Sequence, residues 1–189
     1  LVIEEVVLPA WPVRSLYNLI ADWDAEVGVT MDASNRVSAW GDQVGSVSMA
    51  QTTASKQPLW VASCINGRPC LRLLASRGDT LTFTLAVPDA GWRMYFVGNW
   101  ISQSGSAILL LPSGANGPYL YKSRTGNDNK PSVYDNEWVS YSTATTGTHL
   151  LIFDGLASTS TYRIGVDSGA LQSLPVGIYT TTGNWTALG

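Results

Sequence analysis

Between Tyr119 and Tyr141 the chain interleaves rings with amides and carboxylates. Tyr119, Tyr121, Tyr134, Trp138 and Tyr141 supply the rings; Asn127, Asp128, Asn129, Asp135 and Asn136 supply the polar groups. Sugars are held by stacking an apolar C–H face on an aromatic while neighbouring amides and carboxylates take the hydroxyls. This stretch is therefore the chain's best candidate for a glycan-binding surface. The competing reading is core, since sheets also consume aromatics, and Trp23, Trp40, Trp92, Trp100 and Phe153 are assigned there. Nucleobases would stack on similar rings, but among basic neighbours, and the only lysines are Lys56, Lys122 and Lys130.

Catalytic chemistry finds few partners. A nucleophilic triad needs a histidine, and the single one, His149, sits mid-strand between Thr148 and Leu150. A glycosidase needs two carboxylates about 5–9 Å apart. Asp135 and Glu137 are two apart and on one strand would share a face, but a solvated turn or polar face explains them better. Gly126-Asn127-Asp128-Asn129 gathers oxygen ligands of the kind calcium accepts, in a spacing that is not that of an EF-hand loop. The same residue types dominate ordinary β-turns. No catalytic residue, resident metal or cofactor is assigned. Cys64 and Cys70 flank Asn66-Gly67. With a three-residue loop over Asn66–Arg68 they would face each other within disulfide reach; otherwise they are two buried thiols. Two cysteines and one histidine are too few for a zinc cage.

The elements that must position these residues read as strands. Only 13% of the 189 residues are charged, while Trp and Tyr number eight each. Gly, Ser and Thr are abundant, as in twisted antiparallel sheets joined by turns. A net charge of −3 offers no basic patch for a nucleic-acid partner. No apolar run approaches the roughly 20 residues that cross a bilayer as a helix.

Leu1 to Leu8 reads as an edge strand ended by Pro9 and Pro12. Arg14 to Ala25 reads either as a helix, with Leu16, Leu19, Ile20 and Trp23 at helical spacing, or as a strand Tyr17–Ala21 ending at Asp22. Asp32 to Arg36 is a turn, Val37 to Trp40 a strand, and Asn66-Gly67 the strongest hairpin signal in the chain. Runs follow at Cys70–Leu74, Thr80–Ala86, Met94–Trp100, Ala107–Leu111, Tyr119–Lys122, Ser132–Tyr134, Trp138–Ser142, His149–Phe153, Tyr162–Val166 and Val176–Tyr179. Turn clusters separate them about every ten residues, which points to a sandwich or barrel. Asp42 and Asp79 are expected to hold loops by accepting backbone hydrogen bonds. Asn184-Trp185-Thr186 is an N-glycosylation sequon.

The order Trp40-x-Asp42-Gln43-x-Gly45, Gln57-Pro58, Asn66-Gly67-Arg68-Pro69-x-Leu71-Arg72, Gly78-Asp79-x-Leu81 resembles the concanavalin A-like (LamG-like) jelly-roll domains. These occur in secreted bacterial proteins, phage structural proteins and tail fibres. Thr146 to Gly155 and Tyr162 to Asp167 resemble later strands of such domains, and the likeness runs from about Arg14 to Trp185. It implies an all-β, antiparallel β-sandwich of jelly-roll type over residues 14–189, preceded by an arm over residues 1–13. It favours the strand at Tyr17–Ala21. It also implies a final strand that the C-terminal sequence does not display, so Leu1–Leu8 is expected to fill the vacancy, in its own sheet or a neighbour's. Glucanase and lyase members carry motifs absent here, so the resemblance implies binding without catalysis. The expectation is a lectin-like adhesion module for glycan or cell-surface polysaccharide, outside the cell or on a virion. The alternative is a virion structural protein whose jelly roll contacts neighbouring subunits, including copies of itself. Neither nucleic acid nor membrane is expected as a partner.

Overall fold

The computed structural model describes residues 19–86, 91–100, 107–112, 119–123, 130–135, 137–142, 147–156, 161–175 and 184–188. These form antiparallel sheets, with two three-residue 3-10 turns, Ala54–Lys56 and Ala75–Arg77, as the helical segments among them. The strands are β1 (Val29–Met31), β2 (Val37–Trp40), β3 (Met49–Ala50), β4 (Leu59–Ile65), β5 (Arg68–Arg72), β6 (Leu81–Ala86), β7 (Trp92–Trp100), β8 (Ala107–Pro112), β9 (Tyr119–Ser123), β10 (Ser132–Asp135), β11 (Glu137–Ser140), β12 (Gly147–Leu156), β13 (Thr161–Val166), β14 (Gln172–Pro175) and β15 (Asn184–Leu188). A nine-stranded sheet runs β1-β2-β3-β6-β15-β8-β9-β10-β11. A four-stranded sheet runs β14-β13-β12-β7, and β4-β5 stand as a hairpin.

Alternation explains the burial. Leu81, Leu188, Leu110, Leu120 and Val133 are successive register partners across β6, β15, β8, β9 and β10, and all are buried. In the smaller sheet the buried rungs are Leu151–Val166 and Phe153–Ile164, with Phe96 and Met94 beside them on β7. Gly155 lies between Trp92 and Tyr162. With no side chain there, the two rings approach to 6.2 Å at a tilted angle. Residues from both sheets join one hydrophobic cluster. Each fully buried Leu, Val or Phe contributes about 1.5–3 kcal/mol.

Tryptophan indoles fasten the leading segment. Trp40 and Trp60 donate to the carbonyls of Asp24 and Ala25 at 3.0 and 2.8 Å, and Trp23 donates to that of Val47 at 3.2 Å. The loop roles expected of the two aspartates hold. Asp42 accepts the backbone N–H groups of Asp22, Val44 and Gly45. Buried Asp79 accepts that of Leu74 at 3.0 Å.

Several expectations need correction. A strand not expected from the C-terminal sequence is present: Asn184–Leu188 is β15, hydrogen-bonded between β6 and β8 in the middle of the large sheet. Leu1–Leu8, expected to stand in for a missing strand, lies, like the rest of residues 1–18, outside the described residues. Leu19 to Asp24 is neither helix nor ladder strand, because indole and carboxylate contacts hold it. Gln172–Pro175 forms an unforeseen strand, and the expected run at Val176–Tyr179 lies outside the described residues. Asp135 and Glu137 do not share a strand. They oppose each other across the β10–β11 hairpin.

The hairpin turn is also tighter than expected. Ile65 pairs with Arg68, leaving Asn66 and Gly67 as a two-residue loop at φ 51° and 77°. Positive φ at both positions suits the twist of the flanking strands. Cys70 pairs with Val61 in the ladder, and Cys64 lies within the register irregularity between Val61 and Ile65. Cys64 and Cys70 form a disulfide with Cα atoms 5.7 Å apart. The sequence separation is 6, so loop closure stabilises by about 2 kcal/mol at most. Replacing both cysteines with serine should lower the thermal midpoint by several degrees and leave far-UV circular dichroism unchanged.

Candidate ligand-binding site

Among the described residues, strands β9, β10 and β11 end the nine-stranded sheet, with β11 at its edge. Leu120 and Val133 are register partners and both reach the core, so the intervening positions belong to the opposite face. On that face Tyr119, Tyr134 and Trp138 occupy one rung, and Tyr121, Ser132 and Ser140 the next. Strand spacing makes the aromatic rung about 10 Å wide. Tyr134 is half-buried. The Ser132 hydroxyl donates to the Lys130 carbonyl at 3.0 Å and pairs with the Ser140 hydroxyl at 2.9 Å.

The register thus places four of the positions singled out in the sequence, Tyr119, Tyr121, Tyr134 and Trp138, on two adjacent rungs. It separates Tyr141 from them. That ring is half-buried against the hydrophobic cluster, and its backbone N–H donates to the Pro131 carbonyl at 2.8 Å. Asp135 sits at the hairpin end of β10, opposite Glu137. Asn127, Asp128 and Asn129 lie in the segment between β9 and β10, outside the described residues. Ser132 and Ser140 were missed in the sequence; the period-2 count back from Tyr134 would have found Ser132. Among the described residues no group of three His, Cys, Asp or Glu side chains is placed to hold a metal ion.

Two further polar clusters lie on the four-stranded sheet. His149 Nδ1 stands 2.8 Å from Asp167 Oδ2, and the other carboxylate oxygen accepts the Leu150 N–H at 2.9 Å. These two hydrogen bonds, His149's first, hold the Asp167 carboxyl below its ordinary value of 3.8. A carboxyl with a lowered folded pKa stabilises fully above the unfolded value, and that contribution is lost as pH falls through the folded one. Asp167→Asn should therefore flatten the dependence of stability on pH below about 4, as read by urea unfolding at a series of pH values.

The second cluster is Asp154 between Arg93 and Arg163. All three are register partners on one rung of β7, β12 and β13. Arg93 donates through Nε and Nη2 at 2.5 and 2.8 Å, and Arg163 through Nη2 at 2.5 Å. Asp154 first, and the Tyr95 hydroxyl second, hold the Arg93 guanidinium pKa above its ordinary range. The three residues come from distant parts of the chain, and nothing in their local sequence marked them.

No helix among the described residues is long and apolar enough to cross a membrane. No protein-family model matches the chain, and no curated protein matches it either.

Proposed function

We propose that this chain is a non-catalytic, lectin-like binding module of concanavalin A-like jelly-roll type, which recognises glycan on an extracellular or virion surface. The observation that carries this reading is the rung Tyr119–Tyr134–Trp138 on the face of β9–β11 turned away from the core. Three aromatic positions in register form a platform about two strand spacings wide, suited to stacking pyranose faces. Two antiparallel sheets feeding one cluster are compatible with a sandwich, and the Cys64–Cys70 disulfide suits an oxidising compartment.

On a glycan array the protein should bind a defined saccharide class. Trp138→Ala should weaken that binding at least tenfold, with the fold retained by circular dichroism. Equal binding by the variant would reject the site; no binding by either protein would reject the function.

A second reading, a virion structural domain that packs against neighbouring subunits, draws on β7. Among the described residues this nine-residue strand ends its sheet, and it leaves Tyr95 and Val97 39% and 51% exposed. Long apolar edges invite pairing between chains. A stable oligomer in light scattering with no glycan bound would favour it.

A further inference from the structure

Asp154 is an oddity of the outer surface. Its neighbours Phe153 and Gly155 belong to core rungs, so its own position lies on the face of the small sheet away from the core. Yet its side chain is only 1% exposed, while the flanking Arg93 and Arg163 side chains are 43% and 28% exposed. The arginines lie over the carboxylate and cover it. Two cations meet one anion, so the rung carries one positive charge on a chain whose net charge is −3.

The donor inventory is unbalanced in the same direction. Two guanidiniums carry ten N–H donors, and Asp154 takes three of them. Arg163 Nε is enclosed without a partner among the described residues. Both guanidiniums are already fixed by the carboxylate beneath them, so a ligand would have little side-chain freedom left to freeze. A guanidinium fork matches a carboxylate in two parallel hydrogen bonds. One rung along β7, about 7 Å away, Tyr95 presents a ring 39% exposed on the same face. The residues thus combine a fixed cationic fork with an accessible aromatic ring.

We infer that the outer face of β7, β12 and β13 is a second binding site, for a carboxylate-bearing sugar of the uronic acid class, with Arg93 and Arg163 on the carboxylate and Tyr95 under the ring. The choice of a sugar follows the glycan reading above, but the site lies on the other sheet and uses none of the residues of the β9–β11 platform. A single local positive charge with one ring fits one acidic residue of a chain, not the repeating phosphates of a nucleic acid, which need a basic tract.

The test is isothermal titration of the full chain with a galacturonate oligosaccharide, its methyl ester, and a glutamate-rich peptide. The acidic oligosaccharide should bind at least tenfold more tightly than its ester, and more weakly as salt rises. Arg93→Lys should lose that preference, and Tyr95→Ala should weaken acid and ester alike. The lysine keeps a counter-charge for Asp154, and the exposed tyrosine can be removed without opening the core, so both variants should fold. Trp138→Ala should leave the preference unchanged, which separates this site from the platform. Equal affinity for acid and ester, or an affinity for the acid that Tyr95→Ala leaves unchanged, would overturn the assignment. Equal binding of the glutamate-rich peptide would overturn the choice of sugar.

Discussion

Replacing Arg93 and Arg163 together by glutamine should destabilise the fold by about 3 kcal/mol, the low end of the cost of stripping a buried charge of its partners. Asp154 is 1% exposed, and the two arginines supply its three side-chain hydrogen bonds. Either arginine alone still leaves a counter-charge, so each single substitution should cost about 1 kcal/mol or less, as for other half-exposed pairs. The double variant leaves none, and the effects should be more than additive. The figure stays at the low end because the arginines are themselves the cover; once they are gone, water reaches the carboxylate. Asp154→Ala should cost less than the double variant, since the freed guanidiniums, 43% and 28% exposed, can turn to solvent. Urea unfolding of the four variants, read by linear extrapolation, checks the order. A double variant no worse than the sum of its singles would show that water already shares the carboxylate.

Phe153→Ala should cost about 3–5 kcal/mol, as for other fully buried aromatics cut to alanine. Phe153 has no exposed surface and sits mid-strand on β12, with Met94 on one side and Ile164 on the other. Its rung faces the cluster to which the large sheet also contributes. The backbone on both sides is held by continuous ladders, β12 to β7 and β12 to β13, so the walls cannot collapse into the space. Tyr95→Ala, on the outer face of the same sheet, removes a ring of similar size but should change stability by less than 1 kcal/mol, because that ring is already partly in water. A comparable loss from both would mean that the two faces of the sheet are not distinct.

The strands were legible where alternation was strong. Leu81–Ala86, Trp92–Trp100 and Thr161–Val166 fall within one or two residues of the sequence reading, because one residue in two meets the core. Asn66-Gly67 announced its hairpin, because few other pairs accept two positive φ values in succession. Asn184–Leu188 was not legible as a strand. It is short, it contains the irregularity between Trp185 and Ala187, and its ladder partners β6 and β8 lie far earlier in the chain. The segment from Leu19 read as either helix or strand, the resemblance favouring a strand at Tyr17–Ala21; it is neither from Leu19 on, because tertiary bonds such as that of the Trp23 indole to Val47 hold it. At the candidate site, composition located the rings but not their faces. Register separates Tyr134 from Tyr141, and register depends on how β10 and β11 pair. The Arg93–Asp154–Arg163 rung was invisible for the same reason. Three unremarkable charges on three strands become one group only when the ladders align them.

The most direct test of the glycan reading is a residue-resolved map of binding. The isotopically labelled protein would be titrated with the tightest-binding neutral saccharide from the array and followed by amide and indole N–H shifts. The account predicts shifts concentrated on β9, β10 and β11, centred on Tyr119, Tyr134 and Trp138, and absent in Trp138→Ala. Shifts centred elsewhere, or none at a saccharide concentration that saturates the array signal, would contradict it.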